Sequence, residues 1–505
     1  MEQVFKIFIL LILTSCSGNK FATQKSKISD QPLPAQIQAL INNTDPNVNI
    51  GIKIARITDN HVLYEQNADR HFVPASTIKL ATVAAALYYL GPSYRFNTNV
   101  LTDSFDTQYG LVNNLYLQGS GDPSLMDHDL VNLAYELKQQ NITHVQGNIY
   151  FDDYVFDDTL WVRGTMWDDR KFGFCAPISG LNLNYNRVVI KTIPGHKANM
   201  RAHTIVKPAT KYISVSSRAQ TLGEKAQKNL NLSVKNAQEE KPWASVISEG
   251  LSPGDHIYIN GHMPANSTPY YSLLAIKDPG MLAGTFFKEQ LEQQGIKFTG
   301  KILRKKTPVL AIKIASHQSR PLSEALIDST KISINLPNDA IIKAIAAQAG
   351  EKPATFSGGI KLVSEFLTKE VGIGKNSMIT ADGSGVSRYN LITPNQMLKI
   401  LLYAANHFTM GPEFMAAMPL AGQDGTLSTR LLPLAGNIRA KTGTLANVSG
   451  LAGYYLGAHN QRFAFTIFIN GFTGSTAKYT KLQDDILSTL LPPKTSEQRA
   501  LVTSY

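Results

Sequence analysis

The chain has 505 residues, which is too many for one ordinary hydrophobic core and predicts two to four domains. Its 49 Lys and Arg residues outnumber its 38 Asp and Glu residues, so the formal net charge is +11 at pH 7. The composition is that of a globular protein, and no basic run or nucleic-acid-binding motif accompanies the positive charge. We therefore attribute the charge to a solvated surface and expect no nucleic-acid partner.

The first sixteen residues predict a secretion signal that ends in a lipid-attachment site. Lys6 precedes an apolar run over residues 7–13, which is too short to span a bilayer but has the length of a signal h-region. The L-T-S-C segment that ends at Cys16 resembles the lipobox of bacterial lipoproteins, in which this Cys is acylated and becomes the first mature residue. An ordinary signal peptide that contains a Cys is the alternative. Residues 17–34 are polar and end in two prolines, which is typical of a flexible tether.

The remaining cysteine of the chain is Cys175. If Cys16 carries lipid, Cys175 has no intramolecular partner, so the sequence predicts no disulfide. A lone cysteine of this kind is most often a buried structural thiol. Because neither H-E-x-x-H nor paired C-x-x-C motifs occur, we expect no catalytic metal and no cofactor.

The first half of the chain predicts a hairpin, a helix and a long insertion. Apolar residues alternate over 48–57, and residues 62–64 can pair back after a turn, which indicates a β-hairpin. The run 76–90 is rich in Ala, Leu and Tyr and predicts a long, mostly buried helix that Pro74 opens. Residues 97–310 contain many short strand-like runs between turns, so we interpret them as a β-rich insertion. Within it, residues 197–265 could form a nested β-rich module.

The second half predicts helices and then strands. The expected elements are helices at 336–350, 391–405 and 477–491, and antiparallel strands at 436–445, 449–456 and 462–469. The first hairpin and the last strands would form one antiparallel sheet flanked by helices, because chain termini often lie close together. We therefore expect an α/β (α+β) fold. A catalytic domain of residues 35–96 and 311–495 would be interrupted by the insertion and followed by a tail at 496–505.

Ser76 and Lys79 form an S-x-x-K motif at the start of the predicted helix. Positions i and i+3 lie on one helix face, so the hydroxyl and the amine can touch. The helix N-terminus also favours a developing negative charge. A serine becomes a nucleophile when a nearby base takes its proton, and a neutral lysine can do so. The motif is weak alone, because residues 17–20 and 475–478 match it as well.

Two further motifs follow in the chain. Ser333 and Asn335 form S-x-N, which residues 17–19 also match. A K-T-G-T sequence from Lys441 to Thr444 contains the only K-T-G of the chain and lies in a predicted strand. A glycine in a strand allows a ligand to approach the backbone closely, and an edge strand can pair with an extended peptide.

The order of these motifs resembles that of penicillin-binding proteins and serine β-lactamases. Ser76 and Ser333 lie 257 positions apart, which is far more than in β-lactamases and fits an insertion. The sequence is therefore similar to the low-molecular-mass class C penicillin-binding proteins, the D-alanyl-D-alanine carboxypeptidase/endopeptidase family. In these proteins extra domains interrupt the catalytic domain between the first two motifs. The strings G-S-G-D-P at 119–123 and D-G-S-G-V-S-R at 382–388 agree with this family.

The resemblance implies roles for the motif residues. Ser76 would be the nucleophile and Lys79 its base, and Ser333 and Lys441 would relay a proton to the leaving amine. The oxyanion hole would use the backbone N–H groups of Ser76 and Thr444. The full implied catalytic set is Ser76, Lys79, Ser333, Asn335 and Lys441.

Substrate contacts are implied in the same way. The terminal carboxylate of the substrate would lie near the strand residues Lys441, Thr442, Gly443 and Thr444. Some family members bind the free amino end of the peptide stem through an Asp of the insertion and the Arg of the D-G-S-G segment. By position these residues are Asp169, or its neighbour Asp168, and Arg388.

The implied function is that of a serine D-alanyl-D-alanine carboxypeptidase or D,D-endopeptidase that acts on peptidoglycan stem peptides and is inhibited by β-lactams. The lipid on Cys16 would anchor it to a membrane in the periplasm of a Gram-negative bacterium. A serine β-lactamase is one alternative. A non-catalytic lipoprotein that binds peptidoglycan is the other, and it stays open because Ile334 replaces an often polar residue in the middle of S-x-N.

Overall fold

The computed structural model of the protein describes residues 31–223, 243–247 and 254–491. The predicted signal peptide with Cys16, most of the predicted tether, part of the module predicted at 197–265 and the tail predicted at 496–505 lie outside the described residues. Among the described helices, none combines the length and the apolar composition that crossing a bilayer requires.

The described secondary structure alternates between strands and helices. The strands are β1 (Asn49–Arg56), β2 (Val62–Gln66), β3 (Asn97–Thr102), β4 (Phe105–Asp106), β5 (Leu111–Val112), β6 (Leu115–Gly119), β7 (His144–Val145), β8 (Ile149–Asp152), β9 (Arg187–Ile193), β10 (His203–Lys207), β11 (Ile213–Ser217), β12 (Gln220–Leu222), β13 (Trp243–Ile247), β14 (Asp255–Asn260), β15 (His262–Pro264), β16 (Tyr270–Ala275), β17 (Lys297–Phe298), β18 (Ile302–Arg304), β19 (Ile312–Gln318), β20 (Ile438–Leu445), β21 (Val448–Leu456) and β22 (Arg462–Asn470). The helices are α1 (Leu33–Thr44), α2 (Lys79–Tyr89), α3 (Asp127–Gln139), α4 (Pro279–Gln293), α5 (Leu322–Lys331), α6 (Leu336–Gln348), α7 (Phe356–Lys369), α8 (Pro394–Asn406), α9 (Gly411–Ala416) and α10 (Thr476–Ser488).

One antiparallel sheet joins the beginning and the end of the chain. Its strand order is β2-β1-β22-β21-β20, so the first hairpin and the last three strands pair as the sequence predicts. Strands β21 and β22 are buried along almost their whole length, because helices cover both faces of the sheet. Helices α1 and α10 share one core with the sheet, and α2, α6 and α8 share the other.

The insertion has its own sheet and its own core. Strands in the order β18-β8-β6-β3-β19 form this sheet, and α3 and α4 pack with it around a separate hydrophobic core. Strand β19 pairs with β3 from Ile312 opposite Thr102 to Gln318 opposite Asn97. The sheet of the insertion therefore extends eight residues past the boundary that we predicted at residue 310, because the outer edge of β3 takes its partner from a later part of the chain.

The insertion also packs against helices α2 and α6. The side chains of Phe156, Val162 and Ile178 belong to the same core as α2 and α6. Three small sheets follow, formed by β10-β9-β16, β11-β14-β13 and β12-β15. The segment around residues 156–178 consequently lies against α2 and α6, where it can contribute to a site.

Candidate active site

Ser76 lies on a short 3₁₀ helix, Ala75–Ile78, that leads directly into α2. Ala75 adopts φ 47°, a left-handed conformation that is uncommon for a residue with a side chain. The helix predicted from residue 76 therefore begins with one tight turn. This turn presents the Ser76 hydroxyl at the start of a buried helix.

Lys79 is the first residue of α2, and its side chain is fully buried. Its Nζ donates hydrogen bonds to Ser76 Oγ at 2.8 Å, to Asn335 Oδ1 at 2.7 Å and to the carbonyl oxygen of Ser384. A protonated ammonium has three donors, and here each has an acceptor. A neutral amine would keep two of these bonds and could accept the Ser76 proton.

The environment of Lys79 lowers the pKa of its amine towards neutral pH. Burial lowers the pKa of Lys79 to about 8, although the carboxylates of Asp339 and Asp382 act in the opposite direction. Burial and, to a smaller extent, the neighbouring Asp382 raise the pKa of Asp339 to about 8. A base whose pKa lies near the working pH is suited to proton transfer.

The D-G-S-G segment supports the turn that carries Ser76. The Asp382 carboxylate accepts hydrogen bonds from the backbone N–H of Gly385 at 2.8 Å, from that of Ser387 at 2.6 Å and from Asn390 Nδ2 at 2.7 Å. Gly385 has φ 88°, and a Cβ there would lie 2.1 Å from the Ala75 carbonyl oxygen. The segment is thus held rigidly against the turn, which explains why a glycine occupies this position.

Ser333 and Lys441 form a second pair. Ser333 lies between α5 and α6 with φ 61°. Lys441 Nζ donates to Ser333 Oγ at 2.9 Å and to the carbonyl oxygen of Thr442 at 2.9 Å. Burial and the charge of Lys79 lower the pKa of Lys441 well below its usual range. Two buried amines therefore each hold a serine hydroxyl.

Strand β20 forms the opposite wall of the cleft. It is an edge strand of the sheet. Residues 419–421 pair with the outer side of its first half, because the Ala440 N–H donates to the Pro419 carbonyl oxygen and the Ala421 N–H donates to the Ile438 carbonyl oxygen. No described strand pairs with its outer side from Lys441 onward. Gly443 packs against the turn before Ser76, while the Thr444 side chain is exposed. Thr442 Oγ1 donates to Thr426 Oγ1 at 2.8 Å. An extended peptide could pair with this edge directly beside Ser76.

The insertion contributes one contact to the site. Asn335 Nδ2 donates to the carbonyl oxygen of Phe174 at 2.9 Å, so the amide that holds Lys79 is itself held by the insertion. The sequence gives no indication of this contact, because a backbone carbonyl has no residue signature. Ile334, the unusual middle residue of S-x-N, is buried, and its side chain therefore does not extend into solvent.

Two of the residues implied for the amino end of the substrate, Arg388 and Asp168, line two cavities that share Trp161. Arg388 Nη2 donates to the carbonyl oxygen of Ala446 at 2.8 Å, and Arg388 also lines a cavity of about 790 Å³. Asp168 lines a different cavity of about 490 Å³. Within residues 31–223 and 254–491, neither Asp168 nor Asp169 forms an ion pair with Arg388.

Comparison with known proteins identifies the family. The model of the D-Ala-D-Ala carboxypeptidase 3 (S13) family matches residues 33–489. The D-alanyl-D-alanine carboxypeptidase DacB of Haemophilus influenzae is 31% identical over 440 residues, which are 86% of this chain and 88% of that protein. The D-alanyl-D-alanine carboxypeptidase of Actinomadura sp. is 30% identical over 439 residues, which are 84% of this chain and 78% of that protein.

Solved structures agree with these matches. The crystal structure of penicillin-binding protein 4 (dacB) from Haemophilus influenzae superposes with a TM-score of 0.77 at 28% identity and covers 90% of this chain and 99% of that chain. The same protein in complex with a β-lactam superposes with a TM-score of 0.73 at 27% identity, and it covers 90% of this chain and 99% of that one. The fold class and the family resemblance predicted from the motifs are thereby confirmed. This chain belongs to the D-Ala-D-Ala carboxypeptidase 3 (S13) family of serine peptidases.

Proposed function

We propose that this protein cleaves the D-Ala-D-Xaa bond of peptidoglycan stem peptides through an acyl-enzyme on Ser76. The observation that carries this proposal is the 2.8 Å hydrogen bond between the buried Lys79 amine and Ser76 Oγ, because burial lowers the pKa of that amine to about 8. Family membership supports the same chemistry.

Acylation would begin with neutral Lys79. The amine takes the Ser76 proton as Oγ attacks the scissile carbonyl carbon. The developing oxyanion is bound by the backbone N–H groups of Ser76 and Thr444, each donor stabilising it by about 3 kcal/mol. The proximity of Gly443 to the Ser76 nitrogen supports this assignment, since it brings the strand and the turn together.

The leaving group would receive its proton on the other side of the cleft. Ser333 accepts a hydrogen bond from Lys441 at 2.9 Å, and its hydroxyl proton can pass to the departing amine. The proton that Lys79 took from Ser76 would then return to Ser333 through Lys441, which leaves Lys79 neutral for the attack of water. Asn335 orients Lys79 through the 2.7 Å bond to Nζ. Water then cleaves the acyl-enzyme and regenerates Ser76.

Substrate orientation would depend on strand β20. We assign the terminal carboxylate to Thr442, Thr444 and Lys441, with Gly443 allowing close approach of the peptide. We assign the amino end of the stem to Arg388 and to Asp169 or Asp168. Arg388 is supported by its position next to the β20–β21 turn, through its bond to Ala446. The two aspartates retain only the support of their position in the sequence.

We further propose that the protein acts in the periplasm, anchored by lipid on Cys16, and that it removes free terminal D-Ala, cuts D,D cross-links, or does both. The polar segment at 17–34 would let the catalytic part reach the cell wall. The domain division is part of the same proposal: residues 35–96 and 311–495 would carry the chemistry, apart from strand β19, which belongs to the sheet of the insertion. Digestion of purified monomeric pentapeptide and cross-linked muropeptides, with product masses as readout, separates the two activities.

The direct test is intact-mass spectrometry after incubation with benzylpenicillin. We expect one acyl adduct per chain on the wild type and none on Ser76→Ala. An unmodified wild type, or an adduct that persists in Ser76→Ala, would overturn the proposal. Rapid turnover of a chromogenic cephalosporin would instead indicate the β-lactamase alternative, and absence of D-Ala release from a pentapeptide would indicate the non-catalytic scaffold.

A further inference from the structure

The loop between β18 and β19 exposes two neighbouring aliphatic side chains. Val309 is 100% exposed and Leu310 is 92% exposed, which places both among the most exposed large hydrophobic residues of the described chain. Exposed apolar residues that occur singly on a surface need no explanation, but two adjacent and fully exposed ones at a loop tip do. Neither residue contributes to the active site or to a hydrophobic core.

The tip is a turn that lacks the usual turn residues. The Ala311 backbone N–H donates to the Pro308 carbonyl oxygen at 3.1 Å, so Val309 and Leu310 occupy the two central positions of a β-turn. Gly, Asn, Asp and Ser dominate such positions, because they satisfy the backbone locally and tolerate solvent. Two aliphatic residues there contribute nothing to forming the turn.

The base of the loop is fixed. The Thr307 N–H donates to Asp152 Oδ2 at 2.8 Å, and the Lys305 N–H donates to the carbonyl oxygen of Phe151 at 3.2 Å. Asp152 and Phe151 both belong to β8 in the sheet of the insertion. The loop therefore holds its aliphatic tip outward and does not collapse onto the protein.

The segment that carries the tip is cationic, although Asp152, Asp153 and Asp158 lie against its base. The segment 301–318 contains five cationic residues and no acidic one. The cations are Lys301, Arg304, Lys305, Lys306 and Lys313, and all five residues are exposed. Arg304 is paired with Asp153 and Asp158, and Lys305 lies over the Tyr150 ring. Lys301, Lys306 and Lys313 form no ion pair with any residue that the structure describes, so their charges are available to an anionic surface.

We propose that this loop, residues 305–313, inserts Val309 and Leu310 into the interface of an anionic lipid bilayer while the flanking lysines contact the headgroups. Aliphatic residues at a cationic tip fit the interface of such a bilayer, because its acyl chains are apolar and its headgroups are negatively charged. A protein partner fits less well, because two aliphatic side chains offer on the order of 300 Å² of apolar surface, against about 800 Å² per partner in a standard interface. The loop would orient the insertion, and with it the cleft, relative to the membrane.

The test places an environment-sensitive fluorophore at the tip. In a full-length chain carrying Cys16→Ser, Leu310→Cys is labelled with a nitrobenzoxadiazole maleimide, while the buried Cys175 stays protected. The matched control is Phe408→Cys, because Phe408 is 93% exposed and lies outside the loop. Both proteins are mixed with vesicles of phosphatidylethanolamine and phosphatidylglycerol at 3:1.

We expect a blue shift and at least a doubling of emission at position 310, a response that weakens in 0.5 M NaCl, and no change at position 408. In co-sedimentation with the same vesicles, Val309→Ser/Leu310→Ser should bind at least tenfold more weakly than Phe408→Ser, given the apolar area lost. Penicillin labelling checks that each variant is folded. An unchanged spectrum at position 310, or equal sedimentation of the two serine variants, would overturn the proposal.

Discussion

Gly443 on strand β20 faces the backbone nitrogen of Ser76 so closely that no side chain fits between them. A Cβ on Gly443 would lie 3.1 Å from Ser76 N and 2.6 Å from the carbonyl oxygen of Pro74. Both atoms belong to backbone that is fixed by neighbouring turns. The width of the cleft at Ser76 is therefore set by the absence of one side chain in the K-T-G motif.

Gly443→Ala should reduce acylation by benzylpenicillin about 100-fold, because the methyl group moves the strand away from the turn and a misplacement near 1 Å has an effect of that size. The second-order acylation rate, measured by intact-mass spectrometry, checks this. Gly374→Ala is the matched control, since the nearest atom to its Cβ would be the Ser377 Oγ at 3.3 Å, which is no backbone atom. A Gly443→Ala rate within threefold of the wild type would show that the strand accommodates the methyl group.

The acylation rate should depend on pH through Lys79. The amine acts as a base only when neutral, and burial lowers its pKa to about 8. The rate should therefore rise about tenfold per pH unit at acidic pH and reach a plateau above about pH 8. Stopped-flow acylation with a fluorescent penicillin between pH 5.5 and 9.5 measures the profile. A rate that is constant over this range would exclude Lys79 as the base.

Asn335→Asp should move this profile to higher pH. The new carboxylate would lie at the position of Asn335 Oδ1, 2.7 Å from Lys79 Nζ, and would stabilise the charged amine. It would also lose the donation to the Phe174 carbonyl oxygen. We expect slower acylation at pH 7 and a midpoint at least one pH unit above that of the wild type. The opposite displacement is expected for Asp339→Asn, which removes a carboxylate that raises the pKa of Lys79.

Sequence patterns located the catalytic sheet well because its strands carry local signals. The strand predicted at 462–469 is observed as Arg462–Asn470, and the one predicted at 449–456 as Val448–Leu456. The spacing of Ser76 and Lys79 likewise predicted that the two side chains could touch, since one helical turn separates them. These features depend on residues that are close in sequence.

The features that the sequence did not predict depend on distant residues. Strand β19 (Ile312–Gln318) forms by pairing with β3, which lies more than 200 residues earlier in the chain. The residues of β19 themselves alternate only weakly between buried and exposed positions. The contact between Asn335 and the Phe174 carbonyl likewise requires the fold of the insertion. Pairing over such distances leaves no local pattern from which it could be predicted.

Lys343→Met should destabilise the junction between the insertion and the catalytic part. The buried Lys343 Nζ on α6 donates to Asp157 Oδ1 at 2.5 Å and to the carbonyl oxygen of Thr159 at 2.7 Å. Methionine keeps the volume, but it leaves the Asp157 carboxylate and the Thr159 carbonyl without their hydrogen-bond donor. The Asp157 side chain is 23% exposed, so water replaces the lost donor only in part. We expect a loss of about 2–3 kcal/mol in the free energy of unfolding, because removing one partner leaves the other unpaired.

Differential scanning calorimetry measures this loss as a lower Tm, with Lys369→Met as the control. Lys369 is 70% exposed and pairs with Glu365 within one helix, so its replacement should change stability by less than about 0.5 kcal/mol. Benzylpenicillin acylation of Lys343→Met should stay near the wild-type rate at 20 °C, since Lys343 does not touch Ser76 or Lys79. Equal Tm shifts for the two variants would mean that the buried pair adds no more stability than a surface pair, and that apolar packing around Phe156 and Val162 holds the insertion on the catalytic helices.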